Sequence, residues 1–115
     1  MKLTEHVYMT SGVPYGTNSN TYAIRAGEGV ILIDSGYSAY QWGKMRRVLS
    51  DWGLSGLPVT HLFLTHVHFD HAGNAHLARD LGAAICVSAA DGESLRLGNE
   101  NTLKDMTMAF PDPFV

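Results

Sequence analysis

Leu62-Phe63-Leu64-Thr65-His66-Val67-His68-Phe69-Asp70-His71-Ala72-Gly73 is the stretch whose reading decides the fold. An apolar run ends abruptly in a segment that packs three imidazoles and one carboxylate into the six residues from His66 to His71. Imidazole nitrogen and carboxylate oxygen are the ligands that suit zinc and its first-row neighbours. Open α/β sheets place their chemistry where a strand gives way to a loop. In an extended loop, alternation sends His66, His68 and Asp70 to one side and Val67 and Phe69 to the other. Asp70 and His71 lie side by side where the chain turns into a helix, so they can diverge from the first pair. That arrangement suits two metals a few ångströms apart better than one. The plain alternative is a run of surface histidines, and the spacing after a strand argues against it.

His66-x-His68-x-Asp70-His71 resembles the signature of the metallo-β-lactamase superfamily, whose members include glyoxalase II, lactonases, ribonuclease Z and the metallo-β-lactamases. Ser19-Asn20-Thr21-Tyr22 and Leu32-Ile33-Asp34-Ser35-Gly36 look like the family's earlier motifs, so the resemblance covers nearly the whole chain. It implies an α/β fold, the αββα sandwich, with residues 1–115 as its N-terminal half: one mixed sheet, helices on one face, and no second domain. By the same resemblance His66 and His68 would bind a first metal and Asp70 and His71 a second, zinc by preference, with iron or manganese as alternatives. Asp70 would also hold the attacking water, which makes it the catalytic candidate. The activity implied is metal-dependent hydrolysis of a small-molecule ester, thioester, lactone or amide. An iron-dependent dioxygenase of the same fold and an inactive metal-binding fragment are the competing readings.

The family's later ligands, a further histidine for the first metal, a bridging aspartate and a last histidine, have no counterpart here. His6, His61 and His76 stand in the wrong contexts to replace them. A catalytic zinc usually has three protein ligands and an open position, whereas this chain offers each metal two. The chain is therefore expected to be a fragment, one part of a split enzyme, or a short protein that pairs with itself. In each case the sheet needs a partner, either a second copy or the missing C-terminal half.

Composition agrees with a globular domain: 45% hydrophobic and 17% charged among 115 residues. The net charge of −3, with Lys44-Met45-Arg46-Arg47 as the densest basic run, gives no indication of nucleic-acid binding. No apolar stretch approaches the ~20 residues of a membrane span. The segment Met1 to His6 lacks a secretory core, so the expected location is cytoplasmic. Cys86 is the single cysteine and reads as a small core residue.

Along the chain, His6 to Met9 reads as a first strand and Thr10 to Asn20 as a loop. Within that loop Gly12-Val13-Pro14-Tyr15-Gly16 is a candidate substrate flap, with Tyr15 as its contact. Thr21 to Ala26 and Val30 to Asp34 form a hairpin through Gly27-Glu28-Gly29. Asp34 ends that strand, where a carboxylate can hold the spare N–H of a metal-binding histidine. Ser38, with Gln41 three residues on, predicts a capped helix whose apolar face carries Trp42, Met45, Val48, Leu49 and Trp52. Val59 to Thr65 is the strand that delivers the histidines, with His61 structural. A second helix is expected over Ala72 to Leu81 with His76 exposed, then a buried strand at Ala84 to Val87 and a third short helix from Ser88 to Gly98. Residues 99–115 show no clear period.

Overall fold

The structure, a computed structural model, describes residues 1–89 and Asp91. Five strands form one mixed sheet in the order β1-β2-β3-β4-β5. They are β1 (Val7–Ser11), β2 (Thr21–Ala26), β3 (Gly29–Ile33), β4 (Val59–Phe63) and β5 (Ala84–Cys86). The first three pair antiparallel, and β3, β4 and β5 run parallel. Gly27 takes φ 60 at the first central position of the β2–β3 hairpin, a conformation glycine adopts at no steric cost.

Period-2 alternation divides the sheet's side chains cleanly. Tyr8, Ala23, Leu32, Leu62 and Ile85 form one row across all five strands, against which the helices close the core. Helix α1 (Ala39–Asp51) contributes Met45, Val48 and Leu49, while Ala75 and Ala78 come from α3 (Ala75–Asp80). On the other face, Met9, Tyr22, Ile33, Phe63 and Cys86 form one row, and Val7, Ile24, Ile31, His61 and Ala84 a second. Every one of these ten is half-buried or exposed. Among the described residues this is the expected mixed sheet with helices on one face.

Ser38 caps α1 as expected: its hydroxyl accepts from Gln41 N–H, and the Gln41 side chain reaches back to the backbone of Ser38. Trp42 packs partly against the core, but Trp52 does not belong to the buried face. It ends the helix 47% exposed, its ring 5.7 Å from Tyr8 and 5.4 Å from the Lys2 ammonium. β1 also runs further than expected, to Ser11, because its polar residues satisfy one another. The buried hydroxyls of Thr10 and Ser11 lie 2.6 and 2.7 Å from that of Thr21, and Ser11 donates to Ser19 O. Mutual bonding removes the penalty that would otherwise keep hydroxyls out of a strand.

The expected second helix is broken in two. A single helical turn, α2 (Phe69–Ala72), is followed by Gly73 and Asn74 before α3 begins. Asn74 is buried and tied elsewhere: its side-chain amide donates to Ser35 O and Ser38 O, and its backbone N–H donates to Gly36 O. Gly73 lies so close to Tyr37 that an added Cβ would stand 2.6 Å from the Tyr37 Cβ and 2.7 Å from Phe69 O. Gly73→Ala is therefore expected to destabilise the fold by about 1–3 kcal/mol, read as a lowered urea midpoint. An unchanged midpoint would mean that the two segments are not locked together here.

Cys86 is half-buried on the outer sheet face, not enclosed in the core, because β5 is the edge strand of the described sheet. His76 is half-buried too, with Nδ1 enclosed and without a hydrogen-bond partner. Ser88 accepts from Asp91 N–H, as the start of a third helix would require, but the rest of that helix and residues 99–115 lie outside the described residues.

Candidate functional site

The site forms at the C-terminal ends of β3 and β4, where parallel strands of an open sheet present their loops. Asp34 follows β3 directly, and Thr65 to His71 follow β4. Hydrogen bonds stitch the two loops together. Ser35 N–H and the Ser35 hydroxyl both donate to His71 O, at 2.7 and 2.9 Å.

Asp34 is the organising residue. It is 5% exposed and has φ 59, the left-handed region that Asp tolerates better than most residues. Its carboxylate accepts the Thr65 N–H at 2.8 Å on one oxygen. The other oxygen accepts the Thr65 hydroxyl at 2.8 Å and meets His71 Nδ1 at 2.9 Å. A carboxylate only accepts, so His71 carries a proton on Nδ1, and in the neutral ring the Nε2 lone pair is turned outward.

That lone pair faces the carboxylate of Asp70, with 3.5 Å between His71 Nε2 and Asp70 Oδ2. With the ring neutral, two acceptors converge here, and a cation between them would offset their repulsion. Ligands ~2.1 Å from one tetrahedral zinc stand ~3.4 Å apart, so the separation suits a shared ion. His66 completes a trio: it, Asp70 and His71 each offer a ligand atom, all within 4.8 Å of one another. Residue type and spacing fit a divalent cation.

The rings of His66 and His71 lie 4.2 Å apart, and that of His68 stands edge-on to His66 at 4.8 Å. His68 itself is exposed and lies outside the trio; it sits at the N-cap of α2 with an extended ψ of 144. Burial, reinforced by His71 and His68, holds the His66 pKa below its ordinary 6.5 against the opposing pull of Asp34 and Asp70. On acidification the unfolded chain thus binds a proton before the folded one does. Stability of the metal-free chain should fall as pH drops through about 6.5. Urea melts at pH 7.5 and 5.5 would show this slope and its reduction in His66→Gln; an equal slope in both proteins removes His66 as its source.

Tyr15 ends a 3-10 turn (Val13–Tyr15), packs against the core, and donates its hydroxyl to Met9 O, beside the N-terminal amine. Burial, with Asp51 adding to it, raises its pKa. Tyr37 packs beside the histidine loop, edge-on to Phe69 at 4.9 Å. Tyr37 also lines a cleft of about 160 Å³ with Thr17, Asn18 and Tyr40. Nothing in the spacing of Ser35-Gly36-Tyr37 announces this role, which arises from the close approach at Gly73.

Comparison with known proteins follows the same lines. Residues 14–107 match the family model described as Metallo-beta-lactamase superfamily. The chain belongs to that superfamily. It is 36% identical over 89 residues to the thioesterase pkgB of Emericella nidulans, covering 75% of this chain and 25% of that protein. Among solved structures, a B3 metallo-beta-lactamase with an active-site glutamic acid is 28% identical with a TM-score of 0.63, over 79% of this chain and 33% of that one. The subclass B3 enzyme of Bradyrhizobium japonicum shares the fold at 24% identity and TM-score 0.73, over 96% of this chain and 41% of that one. The chain thus spans a quarter to two-fifths of the length of these relatives. Among the described residues, no helix is long and apolar enough to cross a membrane.

Proposed function

We propose that the loop from His66 to His71 is the metal-holding part of a hydrolytic centre that cleaves thioesters with a divalent ion, zinc by preference. The observation that carries the reading is the convergence of His71 Nε2 and Asp70 Oδ2 at 3.5 Å, with His66 beside them. His68, whose ring lies beside that of His66, would join it on the first metal, with Asp70 and His71 on the second. A bound zinc ion supplies Lewis acidity toward a carbonyl oxygen and lowers the pKa of water towards ~7.

The chain's own groups do the rest. Asp34 keeps His71 in the tautomer that presents Nε2. Asp70, half-buried at the loop, holds the attacking water by accepting its hydrogen. Water oxygen bonds to the thioester carbonyl carbon, the C–S bond breaks, and the thiolate leaves to take up a proton, giving a carboxylic acid and a thiol. The cleft beyond Tyr37 offers polar surface for the rest of the substrate.

Thioester rather than another acyl compound is favoured by the 36% identity to a thioesterase. An assay of the zinc-loaded protein on acyl thioesters, lactones and β-lactams tests this. Thioester cleavage should dominate and fall at least 100-fold in Asp70→Asn. Preferred β-lactam cleavage would overturn the substrate, and oxygen consumption with iron bound would overturn the reaction class.

A further inference from the structure

The carboxylate of Asp34 touches His71 but not His66, and the gap between them is filled by the hydroxyl of Thr65. That hydroxyl lies 2.8 Å from Asp34 Oδ2 and 2.9 Å from His66 Nδ1. Thr65 has one hydroxyl hydrogen to give. Asp34 has none to offer in return, so the hydrogen lies on the Asp34 side of the oxygen. The Thr65 oxygen must then accept from His66, which places the His66 proton on Nδ1 and leaves Nε2 as a lone pair. We infer that Thr65 is a positioning residue, which relays the Asp34 carboxylate to His66 and thereby fixes the tautomer of that imidazole.

A single buried carboxylate so governs two imidazoles, His71 directly and His66 through one hydroxyl. His71 then presents Nε2 to Asp70, and His66 offers a ligand atom to the same group. The backbone N–H of the same threonine holds Asp34 Oδ1, so Thr65 also fixes the carboxylate it relays. Without the bond to the Thr65 hydroxyl the half-buried imidazole of His66 would exchange between tautomers, and only the Nδ1–H form leaves Nε2 free to take a metal. His68, by contrast, stands exposed with its ring edge-on to that of His66. The significance of the tautomer rests on the metal-site reading above, but the tautomer itself does not.

Long-range 1H–15N spectra of the metal-free chain at pH 8 report the tautomer directly, with His66 assigned by loss of its signals in His66→Gln. The expected result is an Nδ1–H tautomer in the native chain, retained in Thr65→Ser and lost to a mixture in Thr65→Val. Titration of the same proteins with zinc against a chelator should then show affinity about 10–100-fold lower in Thr65→Val and within about 3-fold of native in Thr65→Ser, the range usual for groups that orient a metal-binding histidine. An Nε2–H tautomer in the native chain, or a tautomer unmoved by Thr65→Val, overturns the relay. Should Thr65→Val lower only the melting midpoint, leaving tautomer and affinity intact, the threonine is structural and the relay is again refuted. If the tautomer responds as expected while no protein binds zinc, the relay stands and the metal-site reading fails instead.

Discussion

Asp34→Asn should lower zinc affinity by about 10–100-fold while the metal-free chain stays folded. Asparagine tolerates the left-handed φ of 59 nearly as well as aspartate, so the backbone need not move. Its amide, however, presents one acceptor and one donor where the carboxylate presents two acceptors. With its oxygen toward the Thr65 N–H, its NH2 faces His71 Nδ1 and drives the imidazole proton to Nε2, blocking the lone pair a metal needs. With the amide flipped, two N–H groups collide at Thr65. Either arrangement disables the site.

Asp34→Ala is a poorer probe. It strips the partners from the Thr65 N–H and hydroxyl and from His71 at once. Each lost bond to a charged group typically removes ~1.5–3 kcal/mol. Folding and metal binding would then fall together. Isothermal titration with zinc, paired with urea melts of the metal-free proteins, separates the two variants. Native affinity in Asp34→Asn would remove Asp34 from the control of His71.

The second large effect concerns the outer face of the sheet. Of its ten residues nine are apolar, His61 being the exception, and Phe63 at its centre is 43% exposed. Soluble monomers seldom expose a continuous apolar patch beyond a few hundred Å². Covering such a patch contributes ~25 cal/mol per Å². The 115-residue chain by itself is therefore expected to associate at micromolar concentration, most simply about a two-fold axis that sets one outer face on another. Light scattering should give at least twice the monomer mass. Phe63→Glu, which sets a charge at the centre of the contact, should shift the chain towards monomer without disturbing the core. A monodisperse native monomer that excludes a hydrophobic dye would show that residues beyond those described cover the face.

Strand and helix types were legible wherever side-chain periodicity and local chemistry agreed. The four aliphatics from Val30 to Ile33, the Gly27 turn and the Ser38–Gln41 capping box are short-range signals, and each appears in the fold as read. Local rules failed where a distant partner changed the balance. Nothing near Thr10 and Ser11 marks them as strand residues, because the hydroxyl that satisfies them belongs to Thr21. Gly73 and Asn74 only weaken the expected second helix locally, and what interrupts it is their docking against Tyr37, Ser35 and Ser38.

The site divides in the same way. The sequence by itself determined the donors, since three histidines and an aspartate in six residues after an apolar strand have few other uses, and it placed a carboxylate at Asp34. Only the tertiary structure decided which donors converge. It joined His66, Asp70 and His71, left His68 exposed outside the trio, bonded the Tyr15 hydroxyl to β1 and set Tyr37 against Phe69. It also made Thr65, unremarked in the sequence, the link between Asp34 and His66. The physical reason is that ligand identity is a property of side chains, whereas tautomer and direction depend on hydrogen bonds that span more than thirty residues of chain, from Asp34 to Thr65 and His71.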